Sequence, residues 1–377
     1  MRILIVIPNL TDPNTGGVGG AERNVYNIAN YIVSSNKAVA IYTFYQNNYY
    51  GEINPAVTRF CKTIHIDRRT KLKWFLSWMR ALPQVQYDFN KCIREWKPDI
   101  ILSFLFHAEV VCFLAKCRFG KKILWIASER NYPPKRGKSK QQKIERMYKK
   151  TDLLVCQSEV VYEYYSGIRN KVILPNVIDF ERLPYPESEK RSNKRIEIVS
   201  VGRLVDQKNF PLLLSAFAKA KECVNSPICL TIYGEGPGRT EFEELARVLK
   251  IEEEVSFPGF VTDLHDRIKN ASIYITSSDF EGVSNAMLEA VYLGLPVITT
   301  DHPPGIAKKM INEGSGLVVP VGDVQAMADA ISRLINDTDL RLQIRKHNTE
   351  KRLHDEKKNL TGTFWMQTLE DLFHKKE

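Results

Sequence analysis

Apolar residues along this chain gather into short, nearly continuous runs rich in β-branched side chains, separated by longer stretches of helical period. Ile3-Leu4-Ile5-Val6-Ile7 opens the series, and strands are predicted over 2–7, 38–43, 99–103, 122–127 and 153–156. Between them, apolar positions three and four apart predict helices over 21–34, 74–95, 107–118 and 138–149. The scheme then starts again. Strands fit 196–201, 228–233, 254–257, 272–276, 296–299 and 317–319, and helices fit 210–222, 239–249, 284–293 and 323–335. Two last helical stretches, 339–356 and 361–374, close the chain.

Strands apolar on both faces, alternating with amphipathic helices, belong to parallel sheets covered on both sides. The predicted fold class is therefore α/β, with two doubly wound Rossmann-like domains facing across a cleft. The stretch from Asp179 to Asn193 is polar, carries two prolines and loses the periodicity, which marks a connection between domains. The boundaries drawn are 1–180 for a first Rossmann-like domain, 181–193 for the linker and 194–355 for a second, with a C-terminal helix in 356–377 packing back on the first. Doubly wound sheets bind ligands at the carboxyl ends of their strands, so this arrangement suits a reaction joining two substrates.

The chain's 377 residues leave room for two cores. Its seven cysteines form no C-x-x-C pair and sit mostly in apolar stretches, which reads as buried free thiols in a reducing, cytoplasmic compartment. The apolar run at the N-terminus is too short for a signal peptide, and no stretch is long enough to cross a bilayer. A net charge of +10 asks for an anionic partner; nucleic acid, anionic lipid and sugar nucleotide all qualify. No nucleic-acid-binding motif is present.

Three clusters carry candidate chemistry. The first is Asn14-Thr-Gly16-Gly17-Val-Gly19-Gly20-Ala-Glu22, between the first strand and its helix. It reads equally as an anion-binding loop or a plain connection, and it departs from the G-x-G-x-x-G dinucleotide spacing. The second is Val201-Gly202-Arg203-Leu-Val-Asp-Gln207-Lys208-Asn209, where two cations follow a strand and can grip a diphosphate. The third runs from Ser277 through Glu281, Gly282, Val283, Ser284, Asn285 and Glu289 to Pro296. Glu289 lies in a largely apolar helix, where an acid is costly unless something satisfies it; ribose hydroxyls are suitable partners. Backbone amides at Val283–Asn285 open that helix toward a phosphate.

The third cluster, with seven residues between Glu281 and Glu289, resembles the E-x7-E signature of family 4 retaining glycosyltransferases. V-G-R-L-x-x-x-K-N, Y-G-E-G-P from Tyr233, P-G-F-V from Pro258 and the G-G-A-E loop resemble the same family in the same order, across nearly the whole chain. The resemblance implies the GT-B fold and a nucleotide diphosphate sugar donor, of the UDP type. It implies that Glu281 contacts the transferred sugar, Glu289 the ribose, and Arg203 and Lys208 the diphosphate. Gly16 and Gly17 would approach the donor phosphates, while Phe260, Val261, Tyr233 and Gly234 would face the base. No metal or other cofactor is implied. One position departs: where relatives place a histidine, this chain has Arg130 within Ala127-Ser-Glu-Arg-Asn-Tyr-Pro133. Arginine cannot act as a base, so Arg130 is assigned to anion or hydroxyl binding, with His107 as a substitute histidine. The Ser-Glu-Arg-Asn form resembles a branch associated with bacterial surface polysaccharide and N-acetylhexosamine transfer, which implies a lipid-linked oligosaccharide acceptor on polyprenyl diphosphate.

Lys71, Lys73, Trp74 and Trp78 place cations beside aromatics on one predicted helix, a composition that suits an anionic membrane surface. The alternative is that the tryptophans pack on their own sheet. The expected partners are thus a nucleotide sugar, a glycan acceptor and the inner face of the cell membrane, with no nucleic acid. Two rival functions are a noncatalytic nucleotide-sugar-binding partner of another transferase and a sugar-nucleotide epimerase of the same fold.

Overall fold

The computed structural model describes residues 1–10, 19–45, 53–67, 69–130, 133, 137–186, 195–303, 306–358 and 360–375. Two compact units divide it, one of which contains most of the chain up to Ile178 and resumes at Thr361, while the other contains Asp179–Leu360.

The first unit comprises β1 (Arg2–Val6), α1 (Gly20–Ser34), β2 (Ala38–Tyr45), β3 (Thr58–Ile64), α2 (Lys71–Trp96), β4 (Ile100–Phe104) and α3 (Phe106–Phe119), then β5 (Leu124–Glu129), α4 (Lys138–Tyr148), β6 (Leu153–Cys156), α5 (Glu159–Tyr164) and β7 (Lys171–Ile173). Among the described residues its sheet has seven parallel strands in the order β3-β2-β1-β4-β5-β6-β7. Successive strand residues point to opposite faces. Ile3, Ile5 and Ile7 therefore join the core under α1, while Leu4 and Val6 join the core shared with α2, α3 and α4.

The second unit comprises β8 (Ile196–Val201), α6 (Phe210–Cys223), β9 (Ile228–Tyr233), α7 (Arg239–Val248), β10 (Val255–Gly259), α8 (Leu264–Ile268), β11 (Ile273–Thr276), α9 (Asn285–Tyr292), β12 (Val297–Thr300), α10 (Ile306–Met310), β13 (Gly316–Val319), α11 (Val324–Asn336) and α12 (Thr338–Lys358). Its strands run parallel in the order β10-β9-β8-β11-β12-β13. In both sheets the order reverses beside the unit's first strand, at β1/β4 and at β8/β11. Such a reversal leaves a crevice at the carboxyl edge, where loops diverge to opposite faces.

Five elements escaped the sequence pattern: β3, β7 and the short helices α5, α8 and α10. β3 and β7 are edge strands, and β3 alternates exposed Arg59, Cys61 and Thr63 with half-buried Phe60 and Lys62, so no apolar run announces it. α5 is six residues long, too short for a helical period to register. β5 runs two residues further than predicted, which puts Ser128 and Glu129 in the strand and buries both. The cysteines are free, but only Cys92, Cys112 and Cys156 are buried; Cys61, Cys117 and Cys223 are exposed, correcting the expectation that most are enclosed.

The segment read as a linker is partly fastened down. Phe180 packs edge-on against Tyr292 at 5.0 Å, within the second unit. Arg352 of α12, fully buried, donates to the carbonyls of Pro184 at 2.5 Å and Leu183 at 2.7 Å. Residues 179–186 thus belong to that unit's packing. On the first unit's side, Val177 is held from both directions: its N–H donates to Asn24 Oδ1 at 2.8 Å, and its carbonyl accepts from Asn27 Nδ2 at 2.7 Å. The last helix, α13 (Leu360–His374), packs Trp365, Met366 and Leu369 into the core under α1. Trp365 Nε1 also donates to the Pro175 carbonyl at 2.8 Å.

Trp365 is 2% exposed, so Trp365→Ala leaves a large cavity and costs the first unit about 3–5 kcal/mol. All five tryptophans lie in that unit, so tryptophan fluorescence during urea unfolding reports on it alone. Leu353→Ala, at an exposed position of α12, is expected to shift stability by less than about 0.5 kcal/mol.

Candidate functional site

The loops after β8 and β11 flank the second sheet's reversal and are stitched together by side chains. Asn209 takes a left-handed conformation at φ 44°, caps α6 by accepting from the Leu212 N–H, and donates to Asp279 Oδ1 at 2.7 Å. Gln207 Nε2 donates to the Phe280 carbonyl at 2.8 Å, and Ser277 Oγ donates to the Lys208 carbonyl at 2.8 Å. This lattice aims the Lys208 ammonium at Glu281, 2.6 Å from Oε1. Ser278 Oγ donates to the same oxygen at 2.5 Å.

Glu281 is 7% exposed. Burial pushes its carboxyl up, but the Lys208 charge and hydrogen bond, the Ser278 hydroxyl and nearby His302 together outweigh burial and hold it below the ordinary carboxylate range. Two glycines make the geometry possible. A side chain at Gly202 would meet Lys208 Cε at 3.0 Å, so the bare backbone is the channel along which the lysine stem runs. At Gly234, φ +135°, a Cβ would fall 2.0 Å from the Gly202 carbonyl oxygen, so the loop after β9 presses directly on the loop after β8. Arg203 stands exposed beside them, with no ion pair among the described residues.

The carboxyl end of β10 and the following turn form a depression of about 390 Å³, lined by Glu235, Pro258, Phe260, Val261, Thr262, Asp263 and Arg267. Phe260 and Val261 are thus brought to the same wall as the loop after Tyr233, which is itself buried. Arg239 braces that wall, pairing with Glu235 at 2.8 Å and donating to the Phe257 carbonyl at 2.6 Å. On α9, Ser284 occupies the N-cap without a side-chain hydrogen bond to the helix, beside half-buried Val283 and Asn285. Glu289, in the middle of this helix, is 3.0 Å from His265 Nε2 on α8.

The first unit places the remaining candidates differently. Gly16 and Gly17 lie outside the described residues; the described end of that loop shows the Gly19 N–H donating to Glu22 at 3.0 Å. Arg130 follows β5 with its guanidinium 5.3 Å from the Phe104 ring and 5.4 Å from the Trp365 ring. Its Nη1 donates to Asn176 Oδ1 at 2.6 Å, while Nε and Nη2 are buried without a partner among the described residues. Burial pushes its pKa down to about 9, against the attraction of Glu129 and Cys156, so it remains a cation at neutral pH. The group braces the exit segment and α13 from within. His107 stacks on Trp78 at 4.5 Å and Trp74 at 4.8 Å, and its Nδ1 lies 2.6 Å from the Tyr45 hydroxyl.

Trp78 is 4% exposed and packs inward, so it does not front solvent as a membrane anchor requires, whereas Trp74 is half-buried. The open apolar face of α2 is instead Leu72, Phe75, Leu76 and Met79, flanked by exposed Lys73 and Arg80; the Lys71 side chain lies outside the described residues. Sequence reasoning did not single out Ser278, His302 or His265. Ser278 sits within the quoted motif, three residues before Glu281, and could have been found there; His265 reaches Glu289, and His302 comes near Glu281, from separate elements.

Removing Lys208 strands a buried carboxylate, and Lys208→Met is expected to cost about 3 kcal/mol, more than Lys208→Met combined with Glu281→Gln. Because the folded-state pKa of Glu281 is depressed, its contribution is present above the ordinary carboxylate range and lost as pH falls through the folded value. Stability measured against pH should therefore decline less steeply on the acid side in Glu281→Gln than in wild type.

The chain is similar to known proteins over most of its length. Residues 18–182 match the family model for Glycosyltransferase Family 4, and residues 182–351 match that for Glycosyl transferases group 1. A Campylobacter jejuni N-acetylgalactosamine-N,N'-diacetylbacillosaminyl-diphospho-undecaprenol 4-alpha-N-acetylgalactosaminyltransferase is 28% identical over 272 residues, 69% of this chain and 73% of the relative. A second C. jejuni protein, a GalNAc-alpha-(1->4)-GalNAc-alpha-(1->3)-diNAcBac-PP-undecaprenol alpha-1,4-N-acetyl-D-galactosaminyltransferase, is 24% identical across 94% of both chains. Sucrose-phosphate synthase from Thermosynechococcus elongatus shares the fold, with a TM-score of 0.81 at 18% identity over 99% of both chains. The chain is a GT-B protein and belongs to the family 4 glycosyltransferases.

Proposed function

We propose that this glycosyltransferase moves a hexose or N-acetylhexosamine from a UDP-sugar to a glycan acceptor carried on polyprenyl diphosphate, in bacterial glycan biosynthesis, with retained anomeric configuration and no metal. The observation that carries the reading is the buried Lys208–Glu281 pair at the reversal of the second sheet. There Lys208 and Arg203 take up the donor diphosphate, Glu281 contacts the transferred sugar, Glu289 the ribose, and the wall at Phe260–Val261 the base. The acceptor hydroxyl oxygen bonds to the anomeric carbon on the face the diphosphate leaves. The bond from that carbon to phosphate oxygen breaks, and the acceptor proton passes to the departing phosphate. Charge growing on the leaving group meets the Lys208 ammonium, already fixed in place, which lowers the barrier without reorganisation of that group at the moment of reaction. The names of the C. jejuni relatives, both acting on diphospho-undecaprenol-linked sugars, support a lipid-linked acceptor.

Such an acceptor lies in a membrane, and the described residues contain no helix long and apolar enough to cross one. The α2 stripe of Leu72, Phe75, Leu76 and Met79 follows the i, i+3, i+4, i+7 spacing of an interfacial helix, with Lys73 and Arg80 available to anionic headgroups.

Binding and slow hydrolysis across a panel of UDP- and GDP-sugars tests the donor. UDP-sugar selectivity, with hydrolysis lost in Glu281→Ala and reduced about 10²–10³-fold in Lys208→Met, supports the reading; absence of binding to every member sinks it. For the membrane surface, Leu72→Ser with Phe75→Ser should abolish co-sedimentation with phosphatidylglycerol vesicles while donor hydrolysis is unchanged. Undiminished vesicle binding in that variant would remove α2 from the account.

A further inference from the structure

The Glu289 carboxylate has one hydrogen-bond partner among the described residues, His265, which stands between two residues that line the depression after β10. Its neighbours Met287, Leu288, Ala290 and Val291 are buried, so the carboxylate emerges from an apolar helix with little water to satisfy it. A carboxylate only accepts, so the Nε2–H of His265 donates to Oε2 across 3.0 Å. Both side chains are largely enclosed, at 20% and 14% exposure. His265 lies on α8 between Asp263 and Arg267, two of the residues that line the depression.

We propose that His265 is a positioning residue of the donor site, orienting the Glu289 carboxylate for the ribose diol and tying that orientation to the segment that walls the base. The inference rests on the reading of Glu289 as the ribose acid. A carboxylate free to rotate presents either oxygen in any direction. With Oε2 held by an imidazole, the plane of the group is fixed, and Oε1 is left to accept from a sugar hydroxyl. The hydrogen bond also links two elements that contact different parts of one ligand. Displacement of α8 by a base that does not fit would pull on the ribose acid, so a single bond makes base and ribose recognition interdependent.

The experiment is calorimetric binding of UDP and 2'-deoxy-UDP, with GDP and 2'-deoxy-GDP in parallel, to wild type, Glu289→Ala, His265→Phe, His265→Gln and the double variant Glu289→Ala with His265→Phe. The readout is the preference for ribose over deoxyribose, a ratio that a merely structural loss does not move. Glu289→Ala should abolish the preference, and His265→Phe should reduce it about tenfold, the scale of a hydrogen bond to a charged group. Glutamine, whose Nε2 reaches near the position of the imidazole Nε2, should restore most of it, and the double variant should match Glu289→Ala alone. Equal weakening of both nucleotides in His265→Phe, with the ratio intact, overturns the proposal while leaving the ribose reading standing. An unchanged ratio in Glu289→Ala overturns the ribose reading and the proposal together, and failure of every nucleotide to bind the wild type overturns both as well.

Discussion

An ammonium and a carboxylate 2.6 Å apart, in a place where the carboxylate is 7% exposed, set the terms for the second unit. Neither charge is tolerable there alone, because water has been removed from both and only the partner replaces it. Bringing them together requires the loops after β8 and β11 to approach, which the strand order arranges by setting those two strands side by side. Gly202 and Gly234 then clear the path, one for the lysine stem and the other for a backbone carbonyl 2.0 Å from where a Cβ would be. The ion pair is therefore a consequence of the topology and also a lock upon it. An anionic ligand entering beside Lys208 meets a cation already oriented and desolvated.

The same economy of buried cations holds the two places where the chain passes between units. Arg352 collects carbonyls from 180–184 and from Tyr292 on the second unit's side, while Arg130, Asn176, Trp365 and Pro175 form the corresponding cluster on the first. Arginine suits both sites because its planar fork reaches several acceptors at once and its faces lie against aromatic rings, as Tyr185 does for Arg352 at 4.4 Å. Each unit thus fixes its own end of each crossing by side-chain contacts within itself.

Fold class and the two loop motifs that carry Lys208 and Glu281 were legible in the sequence because each rests on local pattern; the strand order and the pairing of those two side chains were not. Parallel strands buried on both faces give continuous apolar runs, and loop motifs at their carboxyl ends keep a readable spacing. What escaped was set by long-range contact. α2 is apolar on two sides: Trp78, Val85 and Phe89 go inward, whereas Leu72, Phe75, Leu76 and Met79 stay outward. Composition alone offers no phase by which to choose between those stripes, and the aromatic one drew attention for its size. His265 and Glu289 are 24 residues apart on different elements, so no spacing rule links them. Edge strands such as β3 escaped because charges that guard an exposed edge also erase the apolar signal.

Arg130 shows how the choice of one side chain sets the physics of its surroundings. A neutral imidazole can trade a proton with a ligand and sit half-dry at small cost. A guanidinium cannot lose its charge at neutral pH, so its surroundings must answer it. Here they do so with two ring faces, an asparagine oxygen and the nearby buried Glu129, itself accepting from the hydroxyls of Tyr148 and Tyr165 at 3.2 and 2.7 Å. Those neighbours come from β4, α13, the exit segment, α4 and the residue that caps α5, so the charge draws together elements that a histidine would leave to packing alone. Arg130 is in this sense a structural commitment of the first unit, held between the rings of Phe104 and Trp365.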